Sequence, residues 1–317
     1  MYQVLFTLIH QAQPMSTSVK IKRYLLIITY LIENKKPTLK QILKYIHSYD
    51  LHCSHRTLQR DLSDLRKEFG VEIVVDNIDN SYSINYDESE NLDDVLRLFE
   101  ISNSAQIMIK TINEGKGTLK YLSPDSSEHL TGIELMEPLI TALKSNQVIT
   151  FKHFNFQTEE IKLITLHPYL LKEYQNRWFL FGENDKYKNF SIYGIERISD
   201  LVLTGDYFVP QTGFDPKKNF ENIIGIATRP FIEGQPEQDI ILSMSREQSY
   251  YYKTLPWHSN HTILVDSKDE FRVLLHILPN YEFLQQLLRY CDKITVIEPQ
   301  WLRERLKEIL KSSGNKY

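Results

Sequence analysis

The sequence predicts a multidomain α+β chain in three parts: helices closed by a β-hairpin, a small antiparallel β domain, and a C-terminal α+β sandwich. Three observations lead there. At 317 residues the chain is longer than one ordinary core accommodates, so two or three domains are expected. Apolar residues recur at helical spacing up to Phe69, and two short β-rich runs follow. From Val148 onward strand-like runs succeed one another, and from Asp239 strands alternate with helices.

Residues 19–34 read as a helix with Leu25, Ile28, Leu31 and Ile32 as its apolar stripe. Thr38 caps a second helix through Ser48 that buries Ile42, Leu43 and Ile46. After the turn Tyr49–Cys53, Ser54 is a good N-cap for a third helix, which runs to Phe69 and stops at Gly70 in the left-handed conformation. The runs Val71–Val75 and Ser81–Tyr86 flank an Asp76–Asn80 turn and form a hairpin. An acidic link, Asp87–Glu90, leads to a helical stretch over 92–114, broken by Gly115-Lys116-Gly117, and to a loop at Ser123–Ser127. A helix over 136–145 takes Pro138 in its first turn. Strands are expected at Val148–Phe154, Glu160–His167, Arg177–Gly182 and Phe190–Ile195. Beyond a Pro210–Pro216 loop come strands Asp239–Met244 and His261–Val265, a helix Glu282–Tyr290, a strand Lys293–Ile297 and a helix Trp301–Lys311. The domains are drawn at 15–90, 135–206 and 207–317, with a helical linker over 91–134.

Composition narrows the function. With 42% hydrophobic and 25% charged residues and no apolar run of the ~18 residues a bilayer needs, the chain reads as cytoplasmic, with no membrane partner. The first ten residues are apolar but lack a basic leader and a cleavage site, and nothing in residues 1–14 completes the helical pattern. These residues are therefore expected to be dispensable, with Met15 as the start. Two cysteines, Cys53 and Cys291, make neither a disulfide framework nor a zinc cluster. Net charge is −4, yet Lys20–Gly70 holds eleven Lys or Arg against five Asp or Glu, a local +6 that leaves −10 for the rest. A basic module on an acidic body suits a phosphate-backbone binder tethered to something else.

In the third helix Leu58, Leu62, Leu65 and Phe69 share one face, and Arg56, Arg60, Ser63 and Lys67 fall opposite, flanked by Thr57 and Gln59. Arginine can grip guanine with two prongs and glutamine adenine, and the N-terminus at Ser54 welcomes a phosphate. The same face would equally serve as the solvated side of a plain three-helix bundle. The phrase Ser54-His55-Arg56-Thr57-Leu58-Gln59-Arg60-Asp61-Leu62, with the hairpin after it, resembles the recognition helix of the winged helix-turn-helix in one-component bacterial regulators, Ser-x-Arg-Thr-x-x-Arg-Asp-Leu. The resemblance implies that Arg56, Thr57 and Arg60 touch DNA and that Asp61 steadies the fold. The candidate DNA contacts are Ser54, Arg56, Thr57, Gln59, Arg60, Ser63 and Lys67, the partner is double-stranded DNA, and a homodimer is expected because such readers bind paired half-sites.

The segment His167–Gly182 and the phrase Tyr193-Gly194-Ile195-Glu196-Arg197-Ile198 resemble the WYL domain, whose Trp-Tyr-Leu triplet stands here as Trp178-Phe179-Leu180. Val296–Leu302 is similar to the C-terminal extension that commonly follows that domain. The resemblance implies an Sm-like small β-barrel that senses a nucleotide-like or other anionic ligand, a nucleotide or a short nucleic acid. Two departures stand out: Phe179 lacks the triplet's hydroxyl, and Gly194 stands where many members have an arginine. Candidate ligand contacts are Lys152, His153, His167, Arg177, Tyr193 and Arg197. Against that reading, Trp178 and Leu180 serve equally as core, and Arg197 as half of a structural ion pair. No catalytic constellation is found: there is no Walker A loop, no Gly-x-Gly-x-x-Gly and no Gly-x-Ser-x-Gly, and His258 and His261 lack a third metal ligand. The expected function is a ligand-responsive DNA-binding transcriptional regulator with no enzymatic activity, cofactor or metal. The alternative is an effector that grips single-stranded DNA or RNA through its WYL half, where some of the 19 tyrosines could stack bases.

Overall fold

A computed structural model describes residues 15–90, 92–113, 131–156 and 158–316. The chain divides into two compact units, Met1–Ser127 and Glu128–Tyr317. The dispensable 1–14, the Gly115–Gly117 break and the 123–127 loop expected from the sequence lie outside the described residues.

The first unit runs α1 (Met15–Glu33), α2 (Leu39–His47), α3 (His55–Phe69), β1 (Ile73–Asp76), β2 (Ser81–Ile84) and α4 (Leu92–Asn113). The caps form as local chemistry dictates. Thr38 and Gln41 make a reciprocal capping box on α2. The Ser54 side chain accepts the Thr57 N–H on α3, and Gly70 ends α3 at φ 66°. The stripe on α1 differs from the expected one. Tyr24, Ile27, Ile28 and Leu31 are buried, Leu25 is only partly so, and Ile32 is 44% exposed. Nearly every position from Leu25 to Ile32 is apolar, so spacing alone could not choose the face. Strands β1 and β2 pair antiparallel from Ile73↔Ile84 to Asp76↔Ser81. The Tyr82 N–H donates to the Pro37 carbonyl at 2.8 Å, which ties the hairpin to the turn before α2. Helix α4 is more than a link: Val95 and Phe99 enter the same core, with the Phe99 ring 5.7 Å from Tyr24 and 5.1 Å from Phe69.

Beneath α3 lies a buried ion pair. The Arg23 Nε donates to Asp61 Oδ2 at 2.6 Å and a terminal nitrogen to Oδ1 at 3.0 Å, with Asp61 wholly buried. Asp61 is turned into the core, away from the outer face of α3, and its partner comes from 38 residues upstream. Next to it, Asp64 receives Lys20 at 2.8 Å and the Tyr24 hydroxyl at 2.9 Å. Both contacts bind α1 to α3.

In the second unit, α5 (Met136–Ser145) precedes β3 (Gln147–Asn155), β4 (Glu160–Tyr174), β5 (Arg177–Asn184), β6 (Asn189–Gly194) and β7 (Ile198–Tyr207). These form one antiparallel sheet in the order β6-β5-β4-β3-β7. Two features depart from expectation. Strand β4 continues through Pro168, where a register shift between Pro168 and Leu170 absorbs the missing donor. Strand β7 is an additional strand. The expected closed Sm-like barrel is an open sheet, since no ladder joins β6 to β7 among the described residues. It is nonetheless strongly curled. Four strand spacings separate its edges, ~19 Å if flat, whereas the four steps from Gly194 to Ile198 reach at most ~14 Å and pass through a 3₁₀ turn at Ile195–Arg197. One face packs Ile149, Phe151, Leu166, Leu180 and Tyr193 against Leu139 and Ala142 of α5. The other face carries Phe181 onto Phe220 and Ile223 of the following loop.

The remainder runs β8 (Gln238–Met244), α6 (Arg246–Thr254), β9 (His261–Asp266), β10 (Phe271–Ile277), α7 (Tyr281–Arg289), β11 (Ile294–Glu298) and α8 (Gln300–Gly314). The sheet order β11-β8-β10-β9, all antiparallel, with this βαββαβ succession is a ferredoxin-like arrangement. It contains α6 and β10, which the sequence reading passed over. A fully buried Asn280 joins this layer to the preceding loop. Its amide donates to the Ile224 and Ala227 carbonyls at 2.6 and 2.8 Å while its oxygen caps α7.

Replacing Asp61 by Ala strands the Arg23 charge in the core, at a cost of about 3–5 kcal/mol. Arg23→Met with Asp61→Leu removes both charges and should recover most of that loss. Urea unfolding of the full chain followed by circular dichroism checks this. The single variant's N-terminal transition moves to lower denaturant, and an unmoved transition would show that the pair carries no stability.

Candidate nucleic-acid interface and ligand site

The solvent face of α3 is laid out by its buried one. With Leu58, Asp61, Leu62 and Leu65 turned inward, Arg56, Gln59, Arg60 and Lys67 stand exposed, and Thr57 and Ser63 are half-buried beside them. Ser54 and Thr57 are engaged in the cap, their hydroxyls 3.0 Å apart. Arg56, Arg60 and Lys67 enter no ion pair among the described residues, although the Arg60 charge bears on Asp64 from a distance. The carboxylates below them are already occupied: Asp61 by Arg23, and Asp64 by Lys20, whose bond holds the Asp64 carboxyl below its usual range. Burial pushes the neighbouring Tyr24 hydroxyl up to about 12, so it remains a neutral donor to Asp64. The hairpin contributes no cation at its tip. Asp76 and Asp79 flank Ile78, which is 95% exposed, and Lys36 reaches Asp76 at 3.2 Å.

The six candidate ligand residues do not form one set. Side chains alternate along a strand, so His153 and Lys152 point to opposite faces of β3. Lys152 pairs with Asp200 of β7 at 2.7 Å. His167 lies on that same face, next to the inward Leu166. It stacks on Phe208 at 4.8 Å, with Glu183 and Asp185 at 3.8 and 3.6 Å. The other four gather about the corner between β6 and β7. The His153 ring meets Tyr193 edge-on at 5.0 Å, and Asn184 donates to the Tyr193 hydroxyl at 3.2 Å. Arg177 binds Glu196, which also lies 3.7 Å from Arg197. The Arg197 guanidinium sits over the Phe156 ring at 5.2 Å. Two polar atoms there, His153 Nε2 and Arg197 Nε, are buried without a hydrogen-bond partner. Buried polar atoms of this kind are costly unless something satisfies them, and the acid oxygen facing Arg197 Nε, Glu196 Oε1, stands at 3.7 Å, beyond hydrogen-bond reach. An acid oxygen would satisfy Arg197 Nε, and His153 Nε2 in the tautomer that carries its proton there.

Glu196, Phe156 and Asn184 belong to this corner, and sequence reasoning did not single them out. Glu196 was legible only as a neighbour of Arg197. Its carboxylate fills the space beside Gly194, where a Cβ would meet Glu196 Oε1 at 2.5 Å. The position that departs from the WYL pattern is thus taken up by an acid bound to Arg177. Trp178 and Leu180 pack in the core, as the bland reading of the triplet expects. Far from this corner, His258 and His261 close a turn on themselves, His261 Nδ1 lying 2.9 Å from the His258 carbonyl.

Comparison with known proteins agrees with the two halves of the second unit. Residues 134–203 match the WYL domain family, and residues 237–313 match the WCX domain family. No curated protein sequence matches the chain. Among solved structures, the chain is similar to proteasome accessory factor B/C (PafBC) of Arthrobacter aurescens at 14% identity and a TM-score of 0.32, over 91% of this chain and 45% of that one. It is also similar to a CRISPR Cas-related protein at 13% identity and a TM-score of 0.39, over 95% of this chain and 85% of that one. The chain therefore spans under half the length of the PafBC chain. No helix among the described residues is long and apolar enough to cross a membrane.

Burial, and then the Arg197 charge, lower the pKa of His153 from 6.5. A depressed histidine is neutral in the fold and protonates first in the unfolded chain. Its contribution is therefore present above about pH 6.5 and lost as pH falls below it. Thermal melts of the full chain in steps below pH 6.5 should show a falling midpoint, and His153→Gln should flatten part of the fall. Parallel slopes for the two proteins would mean that His153 is not held neutral by the fold.

Proposed function

Because the chain is a WYL-domain protein with a C-terminal WCX domain, we propose that it is a ligand-responsive DNA-binding transcriptional regulator. The observation that carries this reading is the α3 face: Arg56, Arg60 and Lys67, exposed and outside any ion pair among the described residues, on a helix whose underside is clamped by Arg23–Asp61. A reading helix must present bases with side chains held in a fixed register. The three helices followed by a hairpin support a winged helix-turn-helix over 15–90, with Ser54, Thr57, Gln59 and Ser63 completing the DNA face. The acidic hairpin tip directs phosphate contact to the helices rather than to the wing. The protein acts in the cytoplasm as a homodimer on paired half-sites, and the 91–134 segment links its reader to its sensor.

The sensor is the 135–206 domain, with 207–317 as its extension. Its ligand is an anion, nucleotide-like or a short nucleic acid, taken at the corner of His153, Arg177, Tyr193 and Arg197. Arginine stays charged at every physiological pH, so Arg197 is the principal contact. Lys152 and His167 bear on the other face and serve a ligand only if it wraps the sheet's edge. Coupling of about 1–3 kcal/mol between the two sites would change DNA affinity roughly 5- to 150-fold.

Arg60→Ala opens no cavity and should weaken specific duplex binding about tenfold to a hundredfold, the value of one base-reading arginine. Fluorescence anisotropy with genomic duplex fragments measures this, with circular dichroism confirming the fold. Undiminished affinity would remove Arg60 from the interface. Binding of a single-stranded probe that survives Arg60→Ala and fails in Arg197→Ala would favour the alternative, a single-strand effector. Calorimetry against nucleotides and short oligonucleotides tests the sensor: binding that survives Arg197→Ala unchanged would displace the site from the corner.

A further inference from the structure

Helix α4 has two apolar faces, and the N-terminal core uses only one. Leu92, Val95, Leu96 and Phe99 pack on that core. About 130° around the helix from them runs a second stripe. On it Leu98, Ile101, Met108 and Ile109 are 53%, 37%, 58% and 51% exposed, with exposed Ala105 between them. An ordinary surface helix places charge on its free side. Here residues 101–109, Ile-Ser-Asn-Ser-Ala-Gln-Ile-Met-Ile, hold none. The positions Leu98, Ile101, Ala105 and Met108 follow the alternating three-and-four interval by which one helix seats on another as a coiled coil.

We propose that this stripe of α4 is a dimerisation seam whose partner is the same stripe of a second copy of the chain. Three features favour a second copy. A two-fold contact brings each residue of the patch against its own kind or a near neighbour, which a uniformly apolar stripe tolerates and a charged one does not. Arg97 and Glu100, the charges beside Leu98, are bound to each other at 3.7 Å, and Asp94 lies one turn before Leu98 at the end of the stripe, so an antiparallel pairing, which sets the two Asp94 at opposite ends, brings no like-charge clash. The small Ser104 and Ala105 at mid-stripe let two helix axes approach closely.

The area sets the strength. From Leu98 to Ile109 the helix runs ~18 Å and is ~10 Å wide. The seam therefore falls well short of the ~1,200–2,000 Å² of a standing interface. The pairing expected is concentration-dependent in free solution. It is reinforced on operator DNA, where two half-sites hold two readers together at a high effective concentration. The reinforcement rests on the DNA-binding reading above, whereas the seam itself does not.

Sedimentation of the full chain over a wide concentration range tests the seam, comparing wild type with Leu98→Glu/Met108→Glu. Both sites are exposed, and circular dichroism confirms the fold. Wild type should pass from monomer to dimer, and the variant's dissociation constant should rise by about tenfold or more. In a Cys53→Ser/Cys291→Ser background, Ala105→Cys should cross-link two chains on oxidation, and a position on the core face should not. On a paired site the charged variant should lose cooperativity while keeping single half-site affinity. A variant that dimerises as wild type does, or an Ala105→Cys chain that never cross-links, overturns the proposal, including the case in which the stripe is covered by the chain's own residues. The outcomes separate the two readings. Dimers that cross-link at residue 105 without duplex binding leave the seam standing and remove the DNA reader. Cooperative duplex binding untouched by Leu98→Glu/Met108→Glu does the reverse.

Discussion

The first unit depends on one buried contact. Arg23 and Asp61 form a two-pronged ion pair inside a small core, and the pairing fixes both the distance between α1 and α3 and the rotation of α3 about its own axis. A purely apolar underside would leave that rotation to packing, which tolerates small slips. A guanidinium clamped on a carboxylate does not, because any slip leaves a charge buried and bare. The exposed row from Arg56 to Lys67 inherits its direction from this contact. Lys20 and Tyr24, holding Asp64 one turn further along α3, apply the same constraint a second time. The internal salt bridges also consume two of the three carboxylates on α3, leaving only Glu68, exposed near its C-terminal end, outside them. One arrangement therefore positions the outer face of α3 and leaves it charged.

What could be read in the sequence was mostly local. The caps at Thr38, Ser54 and Gly70 and the hairpin turn were legible because the residues that decide them lie within a few positions of one another. Arg23 was not legible as the partner of Asp61, since their contact is made by the tertiary fold. On α1 the apolar residues are too dense for periodicity to pick a face, and Ile32 falls outside. Strand β4 was read short because Pro168 looks like a terminator, and only a bulge lets it continue. The C-terminal layer was half read: its βαββαβ order emerges only once α6 and β10 are in place. The candidate ligand set shows the opposite kind of miss. Lys152 and His153 are neighbours, and alternation along a strand already separates their faces, so a stricter use of that rule would have divided the set.

The chemistry at the β6–β7 corner differs from that of the α3 face. On α3 every hydrogen-bonding group beneath the surface is matched, and the unmatched charges face water. At the corner the unmatched atoms, His153 Nε2 and Arg197 Nε, are buried, while Glu196 holds Arg177 close by. The first pattern suits a partner that arrives with its own dense charge and displaces solvent. The second suits a smaller one that completes an existing network. The departure at Gly194 fits the same picture, because an acid fills the space beside it.

The curl of the five-stranded sheet has a mechanical meaning. A closed barrel shares its curvature among all its strands, so no single point governs its diameter. This sheet is rolled but left unzipped, and the chain passes between its two free margins through just three residues, Ile195, Glu196 and Arg197. The same three residues include two of the corner's charged groups, Glu196 and Arg197. A shift of the chain at this turn would change the gauge of the roll. Asn280 and the loop it grips would pass that change in girth on to the C-terminal layer, as a change of shape.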